Sequence, residues 1–242
     1  INGRLKLTLE VIEEVRKTCG KDFIIDVRIS GDEYCDGGLN LNDGIYIAKQ
    51  LEKAGPDMIH VSGGTTIMRG SSIPAPGTKQ GSHAKLSEEI KKHTSIPIAT
   101  VGRITEPWIA DELIANGKAD ICMIGRANLC DSEFANNIRP CIGCLRCLNG
   151  IMFGKRVACT INPSLEIENE DTLKLSNTKK KILVIGGGPA GMEAAYVAKK
   201  RGHHVVLCDQ NEELGGLMRI ASVPIAKQDL SKVTQYMVRK LE

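Results

Sequence analysis

Four of the nine cysteines crowd into one short segment, and their spacing carries the strongest chemical signal in the sequence. They follow the pattern C-x2-C-x2-C-x11-C, as Cys141, Cys144, Cys147 and Cys159. Three thiolates this close together can wrap a loop around one face of an iron–sulfur cube, and the fourth closes it from a distance. Structural zinc sites usually pair their ligands as two separated knuckles, and the third cysteine falls too soon for that. The pattern favours a [4Fe–4S] cluster, with zinc or no metal as alternatives.

The other cysteines lie singly, and we expect each to be a small buried or half-buried apolar residue. An odd number of cysteines without a secretory signal argues against a disulfide framework. These five residues are Cys19, Cys35, Cys122, Cys130 and Cys208.

A glycine-rich loop gives the second signal, since Gly186, Gly188 and Gly191 form G-x-G-x-x-G between a predicted strand and a predicted helix. The next strand ends at Asp209, whose carboxylate would accept hydrogen bonds from an adenosine ribose. The helix N-terminus adds positive potential for a pyrophosphate. This context predicts a dinucleotide site. The glycines leave FAD, ADP and NAD(P) open, and the following Leu214-Gly215-Gly216 favours FAD.

Three arginines follow or end predicted strands and could hold a flavin mononucleotide. Arg28 suits the N1/O2 edge of the flavin ring, where a cation stabilises the reduced anion. Arg103 and the pair Gly125-Arg126 follow the last two strands of the first region, where barrel enzymes commonly bind phosphate. Among the histidines, His60 is expected in the core, and His83 lies in a long loop that could reach an active site.

Strands and helices alternate along most of the chain, which predicts parallel sheets. Helices are predicted over 5–18, 42–54, 84–93 and 107–116, and strands over 23–30, 57–62, 96–101 and 120–125. Residues 140–169 read as loop and 168–177 as a connector. A new unit then begins with a strand at 182–185, a helix at 189–201 and a strand at 205–209.

Four strands cannot close a barrel of eight, so the first region is either an open sheet or half of a barrel whose first strands lie upstream. We expect the sequence to be a fragment. The predicted fold class is α/β, with the C-terminal half of a (β/α)8 barrel over 1–136, a cluster segment over 137–170 and the start of a dinucleotide-binding domain over 171–242.

The composition excludes several classes of protein. Aromatic residues make up 3% of the chain and the net charge is +3, so stacking platforms and basic patches for nucleic acid are not expected. No signal peptide and no apolar run long enough for a membrane helix is present in the sequence, so the cytosol is the expected location.

Taken together, the segments VRIS, HVSGG, VGRI, IGRANLCDSEF, PCIGCLRC and VIGGGPAGMEAA resemble the iron–sulfur flavoenzymes of the old yellow enzyme superfamily. These include 2,4-dienoyl-CoA reductase, 2-enoate reductase, bile-acid-inducible oxidoreductases and trimethylamine dehydrogenase. The resemblance implies FMN in the barrel, held by Arg28, Arg103, Gly125 and Arg126. It also implies the four-cysteine cluster beside it and FAD with an NAD(P)H site in the C-terminal part.

The resemblance implies NAD(P)H-dependent reduction of an activated C=C bond in a small molecule, with electrons passing from FAD through the cluster to FMN. An amine dehydrogenase of the trimethylamine dehydrogenase type is the alternative, and a non-catalytic nucleotide-binding or zinc-stabilised scaffold is the alternative from another class. No catalytic acid can be assigned, since relatives take theirs from the first strands of the barrel. Substrate identity and homo-oligomer formation stay open, and the isolated fragment is expected to be inactive.

Overall fold

A computed structural model describes residues 1–66, 71–136, 139–165 and 173–242. The chain divides into two compact units, Ile1–Gly125 and Arg126–Glu242. The finer division into three parts at 136 and 170 stays a prediction.

The described residues of the first unit form four parallel strands and four helices in alternation. Its sheet has the order β1-β2-β3-β4, with Arg28 opposite His60 and Val61 opposite Thr100. The elements are α1 (Asn2–Cys19), β1 (Asp26–Ser30), α2 (Leu41–Ala54), β2 (Met58–Ser62), α3 (Ala84–Lys91), β3 (Ile98–Thr100), α4 (Pro107–Ala115) and β4 (Ile121–Cys122). All eight predicted elements of this unit are present, although the strands are shorter than predicted.

Helix α2 shows why these boundaries form where they do. The Asn40 side chain accepts the backbone N–H groups of Asn42 and Asp43, and the Asp43 carboxylate accepts that of Asn40 in return. This capping box satisfies donors that the first helical turn leaves without partners. The helix ends at Gly55, whose φ of 84° is a left-handed conformation that glycine adopts without strain.

The two faces of the sheet in the first unit differ in chemistry. Val27, Ile29, Ile59, Val61 and Ile98 belong to the apolar core that the helices cover. The alternate positions of β1 and β2 carry polar side chains on the opposite face, because side chains alternate along a strand. They are Asp26, Arg28, Ser30, His60 and Ser62, and Met58 at the start of β2 is the one apolar residue among them.

Two aspartates repeat one structural device within this unit. Asp57, just before β2, accepts the Ile25 N–H and the Arg16 guanidinium, both at 2.7 Å. Asp120, just before β4, likewise accepts the Ile98 N–H at 2.9 Å and the Lys91 ammonium at 2.6 Å. Each carboxylate therefore links the start of its own strand to the neighbouring strand before it in the chain and to the helix that precedes that neighbouring strand.

The second unit contains five helices, a two-stranded parallel sheet and two short 3-10 turns among its described residues. The elements are α5 (Arg126–Cys130), α6 (Arg146–Met152), β5 (Lys181–Ile185), α7 (Pro189–Lys200), β6 (His204–Cys208), α8 (Leu217–Ala221) and α9 (Asp229–Leu241), with the 3-10 turns at Phe134–Asn136 and Ile225–Lys227. Strand, helix and strand from Lys181 onward confirm the predicted start of a new α/β unit.

The prediction that residues 140–169 form only a loop is wrong in one place, because α6 lies inside that range. Its glycine, Gly150, suggested a loop, but it allows the Arg156 carbonyl to approach closely, where a Cβ would lie 2.7 Å from that oxygen. Leu145 turns the chain into the helix with a φ of 62°. Of the predicted connector, residues 168–172 lie outside the described part of the chain.

Across the four described ranges, no helix combines the length and the apolar character needed to cross a membrane.

Candidate functional site

The loop between β5 and α7 has the backbone that a bound pyrophosphate requires. Gly186 adopts a φ of 107°, which favours glycine, and a Cβ at Gly191 would lie 1.8 Å from the Gly186 carbonyl oxygen. At Gly188 a Cβ would meet no heavy atom within 4 Å. Gly191 is therefore needed for packing, whereas Gly188 leaves open space at the N-terminus of α7, where a phosphate is favoured.

Asp209 follows β6 and lies directly beside this loop. Its Oδ2 accepts the Gly187 N–H at 2.6 Å, and its Oδ1 accepts the backbone N–H and the side-chain amide of Asn211, both at 2.8 Å. The hydrogen bonds from Asn211 and Gly187 lower the pKa of the Asp209 carboxyl, so it is ionised at neutral pH. The carboxylate stabilises the glycine loop, a role that the motif alone did not indicate.

A cavity of about 630 Å³ opens next to Asp209, within the size range of small-molecule sites. Gly216, with a φ of 52°, lies at its edge and would place a Cβ 3.2 Å from the Cα of Gly188. The Gly215 N–H donates to the Gly187 carbonyl at 2.8 Å, so the Leu-Gly-Gly segment lies against the glycine loop. The open cradle at Gly188, the carboxylate and this cavity fit an adenine dinucleotide.

Backbone N–H groups point at the thiols of the cysteine segment. The Cys141 sulfur accepts the Gly143 N–H, and the Cys159 sulfur accepts those of Ile161 and Asn162. Cys144 shares a hydrogen bond of 3.2 Å with the Thr160 hydroxyl. Such donors are typical of loops that hold thiolates against an iron–sulfur cluster.

Two of these thiols have shifted pKa values. A hydrogen bond from Cys130 lowers the pKa of Cys159 to about 6, and burial acts in the opposite direction. Burial raises the pKa of Cys141, which the Gly143 N–H and the positive charge of Arg126 oppose. The pKa of Cys130 is raised by its hydrogen bond with Cys159 and by burial. The lowered pKa of Cys159 favours its thiolate form at neutral pH.

The cysteine segment is predicted to hold an iron–sulfur cluster, with zinc as the alternative. Within the described ranges, no three His, Cys, Asp or Glu side chains converge closely enough to hold one metal ion, as structural zinc would require. A four-iron cube is wider than one ion, so its ligand sulfurs stay further apart. Cys141 and Cys159 are half-buried and close enough to interact electrostatically, and Cys144 is exposed nearby. Whether all four cysteines are ligands stays a prediction.

In the first unit, Arg28 lies at the centre of β1 rather than at its end, opposite His60. His60 is 5% exposed and His83 is 2% exposed. Burial lowers the pKa of both histidines, and the positive charge of Arg28 lowers it further. His60 is buried, as predicted, but it lies on the polar face of the sheet and not in the apolar core.

His83 lies at the start of α3, and neither of its ring nitrogens has a hydrogen-bond partner among the described residues. The Nε2 atom of His60 and the Thr100 hydroxyl are likewise buried without a partner. Buried polar groups are normally hydrogen-bonded, so such atoms indicate a site for a polar ligand. These unpaired atoms fit the polar edge of a flavin. Of the three residues that carry them, the sequence indicated only His83 as one that could reach an active site.

Arg103 follows β3 with a φ of 51°, uncommon for a residue other than glycine. It is 7% exposed, and its guanidinium donates to the Thr78 carbonyl. Strained backbone of this kind clusters at functional sites. Gly125 is exposed with no heavy atom near its would-be Cβ, and Arg126 begins α5. The FMN-binding roles of Arg28, Arg103, Gly125 and Arg126 stay predictions. Residues 67–70 of the preceding long loop lie outside the described part.

Comparison with known families matches the chain in two places. Residues 1–142 match the NADH:flavin oxidoreductase / NADH oxidase family. Residues 181–241 match a family described as FAD dependent oxidoreductase. The cysteine segment lies mainly between the two matches.

Three relatives are similar over nearly the whole chain. The NADH oxidase of Thermoanaerobacter brockii is 40% identical and covers 93% of this chain and 36% of its own length. The bilirubin reductase of Mediterraneibacter gnavus is 37% identical, and the match covers 99% of this chain and 40% of the reductase. The cinnamate reductase of Clostridium sporogenes is 35% identical, and the match covers 95% of this chain and 38% of the reductase. The chain thus spans less than half the length of these curated relatives.

Two solved structures share the fold. A 2-naphthoyl-CoA reductase in complex with 2-naphthoyl-CoA superposes with a TM-score of 0.87 at 25% identity, covering 98% of this chain and 38% of the other. Histamine dehydrogenase from Rhizobium sp. 4-9 superposes with a TM-score of 0.87 at 24% identity, and the match covers 98% of this chain and 36% of the dehydrogenase. With the parallel sheets, they confirm the predicted α/β class, a partial barrel followed by a dinucleotide-type unit. The chain belongs to the NADH:flavin oxidoreductase / NADH oxidase family.

Proposed function

We propose that this chain is part of an NAD(P)H-dependent reductase of activated C=C bonds that uses FMN, a [4Fe–4S] cluster and FAD. The observation that carries the proposal is the order of parts on one chain. A flavin oxidoreductase match ends at residue 142, a cysteine segment follows, and an FAD oxidoreductase match begins at 181. When bound, these groups would supply transfer of two electrons from NAD(P)H to the alkene.

In the second unit, different residues would bind different parts of the dinucleotide. Gly188 leaves room for the pyrophosphate at the N-terminus of α7, where the backbone N–H groups supply positive potential. Asp209 would orient the ribose while it stabilises the loop through Gly187. Gly186 and Gly191 allow the tight turn.

The cysteines would hold the cluster as thiolates. The lowered pKa of Cys159 favours its thiolate form, and the N–H groups of Ile161 and Asn162 stabilise its charge. The set proposed is Cys141, Cys144, Cys147 and Cys159. We also propose a cytosolic location, because all nine cysteines are free and cluster ligation needs reduced thiols.

In the first unit, Arg28 would place its positive charge at the flavin N1/O2 edge, and Arg103 and Gly125 would bind the phosphate. The sequence adds Arg126, which directly follows Gly125 in the chain, to the predicted phosphate ligands. The polar face of β1 and β2 supports this assignment, since Arg28 lies opposite His60 there. The buried ring of His83, which has no protein partner among the described residues, is available to a polar edge of the flavin.

The substrate class we propose is a conjugated acid or its thioester. Relatives named cinnamate reductase and 2-naphthoyl-CoA reductase support this class. Histamine dehydrogenase shares only the fold at 24% identity, which leaves amine oxidation as the weaker candidate.

The test uses the intact protein, purified without oxygen. We expect iron and acid-labile sulfide near four of each per chain, together with FMN and FAD. NADH or NADPH should be oxidised when cinnamate or an enoyl-CoA is added. Absence of iron would favour the non-catalytic scaffold. Reduction of the flavins by an amine, with no alkene reduction by NAD(P)H, would replace the reductase with an amine dehydrogenase.

A further inference from the structure

The side chain of Gln80 joins two loop segments of the first unit. Gln80 belongs to the loop between β2 and α3, and its amide contacts the connection between β3 and α4. Its Oε1 accepts the backbone N–H of Thr105 at 2.8 Å, and its Nε2 donates to the Glu106 carboxylate at 2.6 Å. Thr105 and Glu106 are both buried. One amide therefore satisfies a donor and an acceptor that water scarcely reaches.

The connection between β3 and α4 also contains Arg103, which is buried. Its φ of 51° is unfavourable for a residue with a side chain, so neighbouring contacts must hold the backbone in this conformation. The Arg103 guanidinium donates to the Thr78 carbonyl. The Ser82 N–H donates to the Gly102 carbonyl at 3.1 Å. Residues on both sides of Gln80 thus contact the turn at Arg103.

We propose that Gln80 is a positioning residue that keeps Arg103 in place for the FMN phosphate. This inference rests on the proposed function, because only that function makes Arg103 a phosphate ligand. Gln80 would act through its bonds to Thr105 and Glu106, which hold the backbone shortly after Arg103. Glutamine suits this place because its amide carries an acceptor and a donor side by side. A glutamate there would repel the Glu106 carboxylate, and an aliphatic side chain would leave both buried groups without this partner.

A positioning role and a structural role of Gln80 predict different measurements. Charge-assisted hydrogen bonds depend steeply on distance and angle, so a displaced guanidinium binds phosphate less tightly. If Gln80 only stabilises the fold, loss of its bonds lowers the melting temperature of the flavin-free protein but leaves the FMN affinity of the folded protein unchanged. If Gln80 places Arg103, the FMN affinity falls as well.

The test uses the intact protein, stripped of FMN and measured below the melting temperature of every variant. Gln80→Glu keeps an acceptor for the Thr105 N–H but sets one carboxylate against another. The double variant, Gln80→Glu with Glu106→Gln, exchanges the amide and the carboxylate, so both hydrogen bonds can form again. Gln50→Glu is the matched control, because Gln50 is also partly buried but lies on α2. Equilibrium dialysis gives the FMN dissociation constant, and the FAD retained by each variant is measured alongside it.

We expect Gln80→Glu to raise the FMN dissociation constant about tenfold, and the double variant to return it to within about threefold of the unmodified protein. Glu106→Gln alone should cost less than Gln80→Glu, since a glutamine oxygen can accept the same hydrogen bond. Gln50→Glu should bind FMN normally. The FAD content should be equal in all variants, because the residues proposed to bind FAD lie in the second unit.

Gln80→Met removes both hydrogen bonds without adding a charge. It should also weaken FMN binding, and it provides the same test if Gln80→Glu does not fold. Two results would overturn the inference while leaving the proposed function intact. An unchanged FMN dissociation constant in the Gln80 variants would mean that Gln80 does not place Arg103. A loss in the double variant as large as in Gln80→Glu would mean that the two hydrogen bonds are not the cause. An unmodified protein that binds no FMN would instead refute the proposed function, and the inference with it.

Discussion

The backbone N–H of Gly187 donates a hydrogen bond of 2.6 Å to Oδ2 of Asp209. One carboxylate thus joins the glycine loop after β5 to the end of β6. The two strands pair in register up to Ile185 and Cys208, and this hydrogen bond continues the contact beyond the last pair. The residue expected to orient a ribose therefore also stabilises the loop that would bind the pyrophosphate.

Replacing Asp209 should weaken dinucleotide binding. Asp209→Ala removes acceptors for Gly187 and Asn211, and we expect FAD affinity to fall about tenfold or more. The measurement is FAD retained by the intact protein after ultrafiltration. Glu212→Gln removes a charge from a neighbouring exposed position and should retain FAD normally. Full retention in Asp209→Ala would show that the carboxylate has no role in binding.

Two glycines of the same loop should respond differently to the same substitution. Gly191→Ala places a methyl group against the Gly186 carbonyl and should lower the unfolding free energy by about 1–3 kcal/mol. Gly188→Ala fills only open space, so thermal stability should stay unchanged while FAD affinity falls roughly tenfold. Melting temperature and FAD content of both variants check this. Equal loss of stability in the two would contradict the assigned roles.

Asp120 should stabilise the first unit in a pH-dependent way. Burial raises its pKa, but the Ile98 N–H and Lys91 outweigh that effect and the net pKa is lowered. Asp120→Asn should cost about 1 kcal/mol at pH 7, allowing for partial exposure. Because the carboxyl pKa is lowered in the folded state, the difference should be fully present above the unfolded value of about 4 and should disappear as pH falls through the lower folded pKa.

Thermal melts of Asp120→Asn between pH 7 and pH 2.5 measure this effect. Glu13→Gln, on the exposed side of α1, is the control and should follow the unmodified protein at every pH. A stability difference that persists at the lowest pH would mean that shape, and not ionisation, explains the effect of Asp120.

His83 should make the flavin-free protein less stable in mild acid. Burial and Arg28 lower its pKa, so the unfolded chain binds a proton below about pH 6.5 that the folded state resists. Between pH 7.5 and 5.5 the unfolded state gains roughly 1 kcal/mol from this group. His83→Leu should lose less stability over that range than the unmodified protein. His93→Ala, at an exposed helix end, should leave the pH profile unchanged.

Local patterns were enough to predict most of the secondary structure. Helix α2 was predicted at 42–54 and is found at Leu41–Ala54, because an apolar period, a polar cap and Gly55 all indicate the same segment. Helix α6 was missed, since it is short and its glycine signalled a loop. The glycine loop and Asp209 were predicted together because their spacing follows from strand, turn and helix lengths.

The amino-acid sequence by itself determined the alternation of strands and helices, the cysteine spacing and the dinucleotide fingerprint, since each depends on residues close together along the chain. Only the tertiary structure decided that Arg28 lies opposite the buried His60 and that Asp209 stabilises the Gly187 loop. Those contacts join residues from separate segments, and such proximity depends on how the elements pack, which no local spacing encodes.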